Sequence, residues 1–155
     1  MLLSQHVVAG GAVGLAMGNP VLAFIMGLVS HHLLDLIPHV DNNIFNHYYM
    51  EIGDYTLAFV DLLVVCLIIY KIWPKIRKKK RNLFVWGLIG SVLPDVITNV
   101  PLWHKEVVSS QIGASYYHFH MHFHGALPST SLGIYLAIAL QVLITLGGLW
   151  AFSRD

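Results

Sequence analysis

The segment VLAFIMGLVSHHLLDLIPHVD, residues 21–41, joins an apolar run to a polar cluster. Its first half has the composition of a membrane-spanning helix. Its second half, residues 30–41, places three histidines and two aspartates within twelve residues. Ionisable groups are costly at the end of an apolar segment, and there they usually mark a functional site. The segment therefore predicts a helix that ends at a membrane surface and carries a site at that end.

The composition of the whole chain also indicates a membrane protein. Of its 155 residues, 56% are hydrophobic and only 11% are charged, and the mean hydropathy is +0.65. Soluble domains are about 25% charged, so a soluble protein of this size could not cover its surface with so few charges. The single cysteine, Cys66, cannot form an intramolecular disulfide. No basic segment of a secretory signal peptide opens the sequence, so we expect Met1 to begin the mature chain.

Five apolar runs predict an all-α polytopic membrane protein, with a compact bundle of about five transmembrane helices and a His-rich outer loop. About twenty residues cross a bilayer as a helix. We expect a single domain, residues 1–155, in which Asn19-Pro20 forms a turn and Pro20 opens the second helix. The predicted helices cover residues 1–18, 21–38, 55–73, 83–101 and 132–152.

Basic residues predict the orientation of these helices. Seven of the nine Lys and Arg residues lie in KIWPKIRKKKR, residues 71–81. The positive-inside rule places loop 74–82 in the cytoplasm, where segment 71–81 would contact anionic lipid. The His-rich loop, residues 102–131, is then outside. We expect an integral protein of a prokaryotic inner or plasma membrane. It would contact membrane lipid and no nucleic acid, and the sequence leaves open whether it forms a homo-oligomer.

On this topology, the histidines and most of the acidic residues fall in the outer half of the molecule. Apolar runs and basic residues alone predict this topology, so the convergence of the histidines and acidic residues is an independent observation. Imidazole and carboxylate ligands indicate a divalent metal, zinc first, with manganese or iron as alternatives. The predicted metal ligands are His6, His31, Asp35, His39, Asp95, His122 and His124.

The spacing of the polar residues supports a shared site. His31 and Asp35 lie four residues apart and share one face of a helix. His32 points about 100° away from His31, so we do not expect both to bind one ion. Asp61 and His120 are the predicted catalytic groups. Asp61 lies too deep for a simple helix cap, and it could be a further ligand, a carboxylate that orients a histidine, or a general base.

The run YYHFHMHFHG, residues 116–125, alternates histidine with apolar residues. As a strand it would place four histidines on one side. As a helix it pairs His118 with His122 and His120 with His124. We favour a helix or a re-entrant element that lies over the outer ends of the bundle, with two of these histidines as ligands or catalytic groups.

Three short motifs resemble those of the membrane-bound metal-dependent hydrolase-like proteins of the inner membrane. HHLLDLIPH, residues 31–39, resembles their H-L-x-x-D motif, and GSVLPD, residues 90–95, is similar to G-x-L-x-P-D. HFHGALPSTS, residues 122–131, resembles H-R-G-x-T-H-S. The resemblance implies a helical membrane protein with a divalent metal. The implied ligands are His31, Asp35, Asp95 and one or two of His120, His122 and His124.

The predicted function is a membrane-embedded metal-dependent hydrolase. It would act at the outer-leaflet headgroup level on a lipid or lipid-phosphate substrate by metal-activated water. The chain has no G-x-S-x-G motif, which disfavours covalent catalysis. One alternative is a di-iron membrane oxidase, similar to a hydroxylase or desaturase. The other is a non-enzymatic metal-binding or transport protein, although a transporter should carry polar groups in the inner half, where Thr145 is the main one.

Overall fold

The computed structural model describes residues 2–39, 52–100, 102–124 and 130–153. Within these ranges all regular secondary structure is helical, which confirms the all-α prediction for the described part of the chain. A short 3-10 helix, Lys78–Lys80, precedes α4. The α-helices are α1 (Leu3–Ala16), α2 (Pro20–Asp35), α3 (Ile52–Ile72), α4 (Arg81–Asn99), α5 (His104–Ser109), α6 (Gln111–His122) and α7 (Ser131–Ser153).

The start of α2 follows from its local sequence. The Asn19 side chain accepts a hydrogen bond of 2.9 Å from the backbone N–H of Leu22, and Pro20 occupies the first turn. An Asn cap followed by Pro is a favoured helix start, since it satisfies a backbone donor and presets the first dihedral angle. The predicted turn at Asn19-Pro20 is confirmed. The helix ends at Asp35, three residues before the predicted boundary at Pro38, because proline disfavours helical geometry in the residue before it.

Helices α1, α2 and α4 form the packed centre of the fold, and glycines allow their backbones to approach closely. A Cβ atom on Gly87 of α4 would overlap the carbonyl oxygen of Gly10 in α1. A Cβ atom on Gly27 of α2 would overlap the carbonyl oxygen of Gly87. Three backbones therefore meet at Gly87, in the small-residue packing that is common between membrane helices.

Helices α3 and α7 lie against α1 at the outside of this centre. Both are long and apolar enough to cross a membrane, over Tyr55–Ile72 and Ser131–Phe152, each with a mean hydropathy of 2.1. Only 17% and 11% of the residues in these two windows are buried. Large side chains such as Tyr70 and Tyr135 are 72% and 70% exposed. So large an exposed apolar surface indicates a lipid or protein environment.

The other three predicted spans do not meet the same criteria of helix length and mean hydropathy. Helices α1 and α2 have 14 and 16 residues, so they extend about 21 and 24 Å at ~1.5 Å per residue. This is less than the ~30 Å hydrocarbon core of a bilayer. Helix α4 has 19 residues but is less apolar, since it carries Arg81 and Asp95. The five-span bundle therefore stays a prediction.

The arrangement of α1, α2 and α4 places histidines and aspartates at one end of this three-helix centre and the basic segment at the other. The N-terminal part of α1 meets the C-terminal ends of α2 and α4 through His6, Asp35 and Asp95. The basic segment precedes the other end of α4, about 21 Å from Asp95 along the helix. There the Arg81 guanidinium lies 4.9 Å from the centre of the Trp73 ring and donates to the Trp73 carbonyl.

Candidate metal centre

The carboxylate of Asp35, in the last turn of α2, lies at the centre of a buried polar cluster. Its Oδ1 atom is 3.3 Å from His6 Nε2 of α1. Its Oδ2 atom is 3.1 Å from His31 Nε2, one turn earlier on α2. All three side chains are fully buried. The i, i+4 spacing predicted from the sequence thus brings His31 and Asp35 into contact.

Helix α6 brings two more histidines to Asp35. The side chain of Ser110 caps this helix by accepting from the backbone N–H of Gly113 at 3.0 Å. The Nε2 atoms of His120 and His124 both lie 3.5 Å from Asp35 Oδ2. The helical interpretation of the alternating run is confirmed as far as His122, where α6 ends, and the turn that follows keeps His124 Nε2 3.2 Å from His120 Nε2.

Asp95 of α4 is the second carboxylate of the cluster. Its Oδ2 atom lies 3.8 Å from His6 Nε2, and its Oδ1 atom lies 3.7 Å from His120 Nε2. The Asn99 amide, one turn later, donates to Asp95 Oδ1 at 2.8 Å. The side chain of Asp95 is 18% exposed and that of His124 is 14% exposed. The cluster is therefore accessible from the side of these two residues.

The hydrogen bonds of His31 and His120 determine their tautomers. His31 Nδ1 lies 2.7 Å from the carbonyl oxygen of Ser91. A carbonyl can only accept, so Nδ1 carries the proton, and in the neutral ring Nε2 has a lone pair. The Thr98 hydroxyl donates to the Pro94 carbonyl at 2.9 Å and lies 2.9 Å from His120 Nδ1. With the hydroxyl proton on the Pro94 carbonyl, the Thr98 oxygen accepts from Nδ1, and this tautomer has a lone pair on His120 Nε2.

These tautomers place acceptor atoms against each other. The distance from His31 Nε2 to His120 Nε2 is 3.0 Å, and that from His120 Nε2 to His124 Nε2 is 3.2 Å. The nearest carboxylate oxygen, on Asp35, is also an acceptor. A single proton would satisfy one of these contacts and leave the others repulsive. A metal cation satisfies them together, and metal-bound histidines usually donate their second N–H to a neighbouring oxygen in this way.

Two further observations fit a cation. Neither ring nitrogen of His6 makes a hydrogen bond among the described residues, although the side chain is fully buried. Buried polar atoms without partners are costly. Burial lowers the pKa of His124 to about 4, so its imidazole is neutral at pH 7 and can act as a ligand.

Among the described residues, four overlapping triads of side chains have ligand atoms within 4.8 Å of one another. Nitrogen and carboxylate oxygen together suit zinc, manganese or iron. The residues of the cluster therefore fit the divalent metal expected from the sequence. The triads are His6, His31 and Asp95; His31, Asp35 and His120; Asp35, His39 and His124; and Asp95, His120 and His124.

Most of the residues selected from the sequence meet in this cluster. His39 lies at its edge, with its ring centre 5.6 Å from that of His124. His32 packs instead against Phe119 and Phe123. The residues brought together are His6, His31, Asp35, Asp95, His120 and His124.

His122 is not brought into the cluster. It is exposed, and its ring lies against that of Phe123. With about 3.6 residues per turn, two residues separate His122 from His120 by more than half a turn. His118 is exposed for the same reason. Asp41 and residues 125–129 of the third motif lie outside the described part of the chain.

Asp61, predicted to be a catalytic group, contacts the start of α1 among the described residues. It is buried on α3, and its Oδ2 atom accepts from the backbone N–H of Ser4 at 3.2 Å. Leu2 provides no side-chain cap for α1, so Asp61 satisfies one of the unpaired donors of that helix. Among the described residues it makes no ion pair with a histidine.

Sequence reasoning missed the groups that orient the histidines. The Ser91 hydroxyl donates to the His6 carbonyl at 2.8 Å, and the Ser91 carbonyl accepts from His31. His104 donates from Nδ1 to the Thr98 carbonyl at 2.5 Å. The sequence contained a sign of these groups, because the polar residues Ser91, Asp95 and Thr98 are spaced at i, i+4 and i+7 and so share one face of α4.

Comparisons with protein-family models, with curated proteins and with solved structures find no match for this chain. The function is therefore inferred from the geometry of the His–Asp cluster and from its position in the fold.

Proposed function

We propose that this chain is a membrane-embedded metal-dependent hydrolase that acts on a lipid or lipid-phosphate substrate at the headgroup level. The observation that carries the proposal is the convergence of the His31 and His120 Nε2 atoms on Asp35 Oδ2. With the two rings neutral, three acceptor atoms face each other in a buried site, and a divalent metal is a cation that imidazole and carboxylate ligands bind together.

The ligand set favours zinc, with manganese or iron as alternatives. A bound divalent ion would lower the pKa of a coordinated water towards about 7 and polarise a phosphoryl or carbonyl oxygen. His120, which the sequence suggested as a catalytic group, lies among the ligands in this proposal. Asp61 would support the fold by capping α1.

Access to the cluster suggests how its residues divide their tasks. His6, His31, Asp35 and His120 are fully buried, which suits residues that hold a metal. Asp95 and His124 are partly exposed, so a substrate group would approach the metal from their side. Asn99 fixes the orientation of the Asp95 carboxylate through its hydrogen bond.

The membrane placement follows from the exposed apolar faces of α3 and α7 and from the basic segment. Those two helices would contact lipid. The positive-inside rule would place segment 71–81 in the cytoplasm, beside anionic lipid. The cluster lies at the other end of α4, so it would open at the level of the outer-leaflet headgroups.

The resemblance to the membrane-bound metal-dependent hydrolase-like family supports the same proposal. His31 and Asp35 belong to the first motif and Asp95 to the second. Asp35 and Asp95 are 60 positions apart in the chain, yet His6 and His120 link the two carboxylates. The first two motifs thus supply both carboxylates and one histidine of the cluster, and the third supplies His124, whereas His6 and His120 lie outside the motifs.

A di-iron membrane oxidase is the second candidate. The observation that favours it is the size of the ligand set, since four histidines surround two carboxylates. Such a set also suits a pair of iron ions. Iron in the purified protein together with oxygen consumption would support this candidate over the hydrolase.

Elemental analysis of the detergent-purified protein tests the proposal first. We expect zinc or manganese in the natural chain and in His122→Ala, which removes an exposed histidine. We expect the metal to be lost in Asp35→Ala and Asp95→Ala. The metal-loaded protein should then release product from a phospholipid or a lipid phosphate. No tight metal, or metal that survives both aspartate substitutions, would overturn the proposal and leave a structural polar cluster.

A further inference from the structure

We infer that the centre holds two metal ions and that Asp35 and Asp95 bridge them. This inference rests on the proposed metal-dependent function and deepens it. It assigns the number of ions, the oxygen atoms that bind each one and the chemical class of the substrate.

Each carboxylate directs one oxygen to His6 and the other to His120. Asp35 places Oδ1 3.3 Å from His6 Nε2 and Oδ2 3.5 Å from His120 Nε2. Asp95 places Oδ2 3.8 Å from His6 Nε2 and Oδ1 3.7 Å from His120 Nε2. The two carboxylates therefore lie between the two imidazoles and share the same orientation with respect to them.

This arrangement separates the ligand atoms into two groups. The first group contains His6 Nε2, Asp35 Oδ1 and Asp95 Oδ2. The second group contains Asp35 Oδ2 and Asp95 Oδ1 with the Nε2 atoms of His120 and His124. In two-metal hydrolytic sites the ions lie about 3.5–4 Å apart, a separation that carboxylates bridge with one oxygen on each ion.

His31 lies where the two groups meet. It forms one possible ligand triad with His6 and Asp95 and another with Asp35 and His120. Its ring stacks on that of His6, with the ring centres 4.1 Å apart and the planes 23° apart. The stacking and the Nδ1 hydrogen bond to Ser91 hold the His31 ring in one orientation.

With only one ion in the cluster, His6 would have no metal ion to bind. A single ion among His31, His120, His124 and Asp35 Oδ2 would use the Asp35 oxygen nearest His120, whereas His6 lies against Oδ1. Neither ring nitrogen of His6 makes a hydrogen bond among the described residues, and the side chain is fully buried. Its Nε2 atom faces the carboxylates of Asp35 and Asp95 at 3.3 and 3.8 Å, and a second ion between these three groups would give the buried imidazole a ligand role.

The charge of a two-ion centre indicates the substrate. Two divalent ions carry four positive charges, while Asp35 and Asp95 supply two negative charges and the neutral histidines supply none. The loaded centre would be positive and would favour an anionic group. A lipid phosphate fits this requirement better than a neutral carboxylic ester. The second ligand group contains the two partly exposed residues, Asp95 and His124, so the phosphate would reach the ion on that side.

Manganese reconstitution of the full chain tests the inference. The detergent-purified protein is stripped of metal, titrated with Mn²⁺, and measured by elemental analysis and electron paramagnetic resonance. We expect two ions per chain and the spectrum of a spin-coupled pair, which inorganic phosphate alters. We expect His6→Ala to hold one ion and show an uncoupled spectrum, whereas His122→Ala should keep the coupled pair.

Asp95→Asn gives a second variant of nearly the same shape. An amide presents one oxygen in place of two, so this variant should lose the coupling even where it folds normally. One ion per chain in the natural protein would overturn the two-ion inference and leave the metal-dependent hydrolase standing. Two uncoupled ions, or a coupled pair that persists in His6→Ala, would overturn the bridging assignment. A spectrum unchanged by saturating phosphate would overturn the substrate class, and a chain that binds no metal would overturn both proposals.

Discussion

His31 and His120 present their Nε2 atoms to each other at 3.0 Å, and the Nδ1 atom of each ring already donates a hydrogen bond to an oxygen. The two residues lie 89 positions apart, on α2 and α6. A cation shared by their lone pairs would hold α6 against the centre of the fold. Without the cation, and with both rings neutral, the same contact brings two lone pairs together.

Metal removal should therefore loosen α6 more than the glycine-packed centre. We expect a chelator to increase amide hydrogen exchange over residues 111–122 and to leave residues 83–93 of α4 protected. Hydrogen exchange with mass spectrometry, with and without chelator, measures the difference. Equal protection of residues 111–122 in both states would contradict a metal-dependent attachment of this helix.

The four histidines of the alternating run should separate into two pairs. We expect His120→Ala and His124→Ala to lower the metal content, since both side chains lie 3.5 Å from Asp35. The matched substitutions His118→Ala and His122→Ala should leave it unchanged, because both residues are exposed. Elemental analysis of the four purified variants decides this, and metal loss in the exposed pair would argue for a different ligand set.

Thr98 should tune the metal affinity through His120. Its hydroxyl accepts from His120 Nδ1, and loss of such a partner typically weakens metal binding by about 10- to 100-fold. We expect this loss in Thr98→Ala and near-natural affinity in Thr98→Ser, which keeps the hydroxyl. Competition with a chromogenic chelator gives the affinities. If both variants bind metal alike, the hydroxyl does not orient the ring.

Asp61 should contribute to stability without holding metal. Its carboxylate caps the first turn of α1, and loss of a cap costs about 0.5–2 kcal/mol of unfolding free energy. We expect Asp61→Ala to unfold at a lower temperature in detergent while it binds the same amount of metal. Asp61→Asn keeps an acceptor oxygen and should resemble the natural chain. If Asp61→Asn had normal stability and metal content but did not hydrolyse the substrate, Asp61 would be a catalytic group.

The glycine contact should be sensitive to a single methyl group. A Cβ atom on Gly87 would overlap the Gly10 carbonyl, and overpacking of this kind costs about 1–3 kcal/mol. We expect Gly87→Ala to lower the unfolding temperature and the metal content, because α1 carries His6. Gly147→Ala is the matched control, since a Cβ atom there meets no atom within 4 Å. Equal unfolding temperatures for the two variants would contradict the close packing at Gly87.

The sequence by itself determined the helices and the local pairs of site residues. Apolar runs and the Asn19-Pro20 turn are properties of neighbouring residues, and so is the i, i+4 spacing of His31 with Asp35 and of His120 with His124. The structure confirms these local features. The sequence did not determine the number of membrane spans. A span depends on helix length relative to the bilayer thickness, and α1 and α2 are short.

Only the tertiary structure decided which groups meet and which hydrogen bonds each group makes. Asp61 contacts Ser4 rather than a histidine, since α3 packs beside the start of α1. The Ser91 carbonyl and the Thr98 hydroxyl set the tautomers of His31 and His120 from another helix. A tautomer follows from the hydrogen-bond partner of the ring, and that partner is chosen by helix packing. The lone pairs that suit a metal are therefore a property of how α2, α4 and α6 come together.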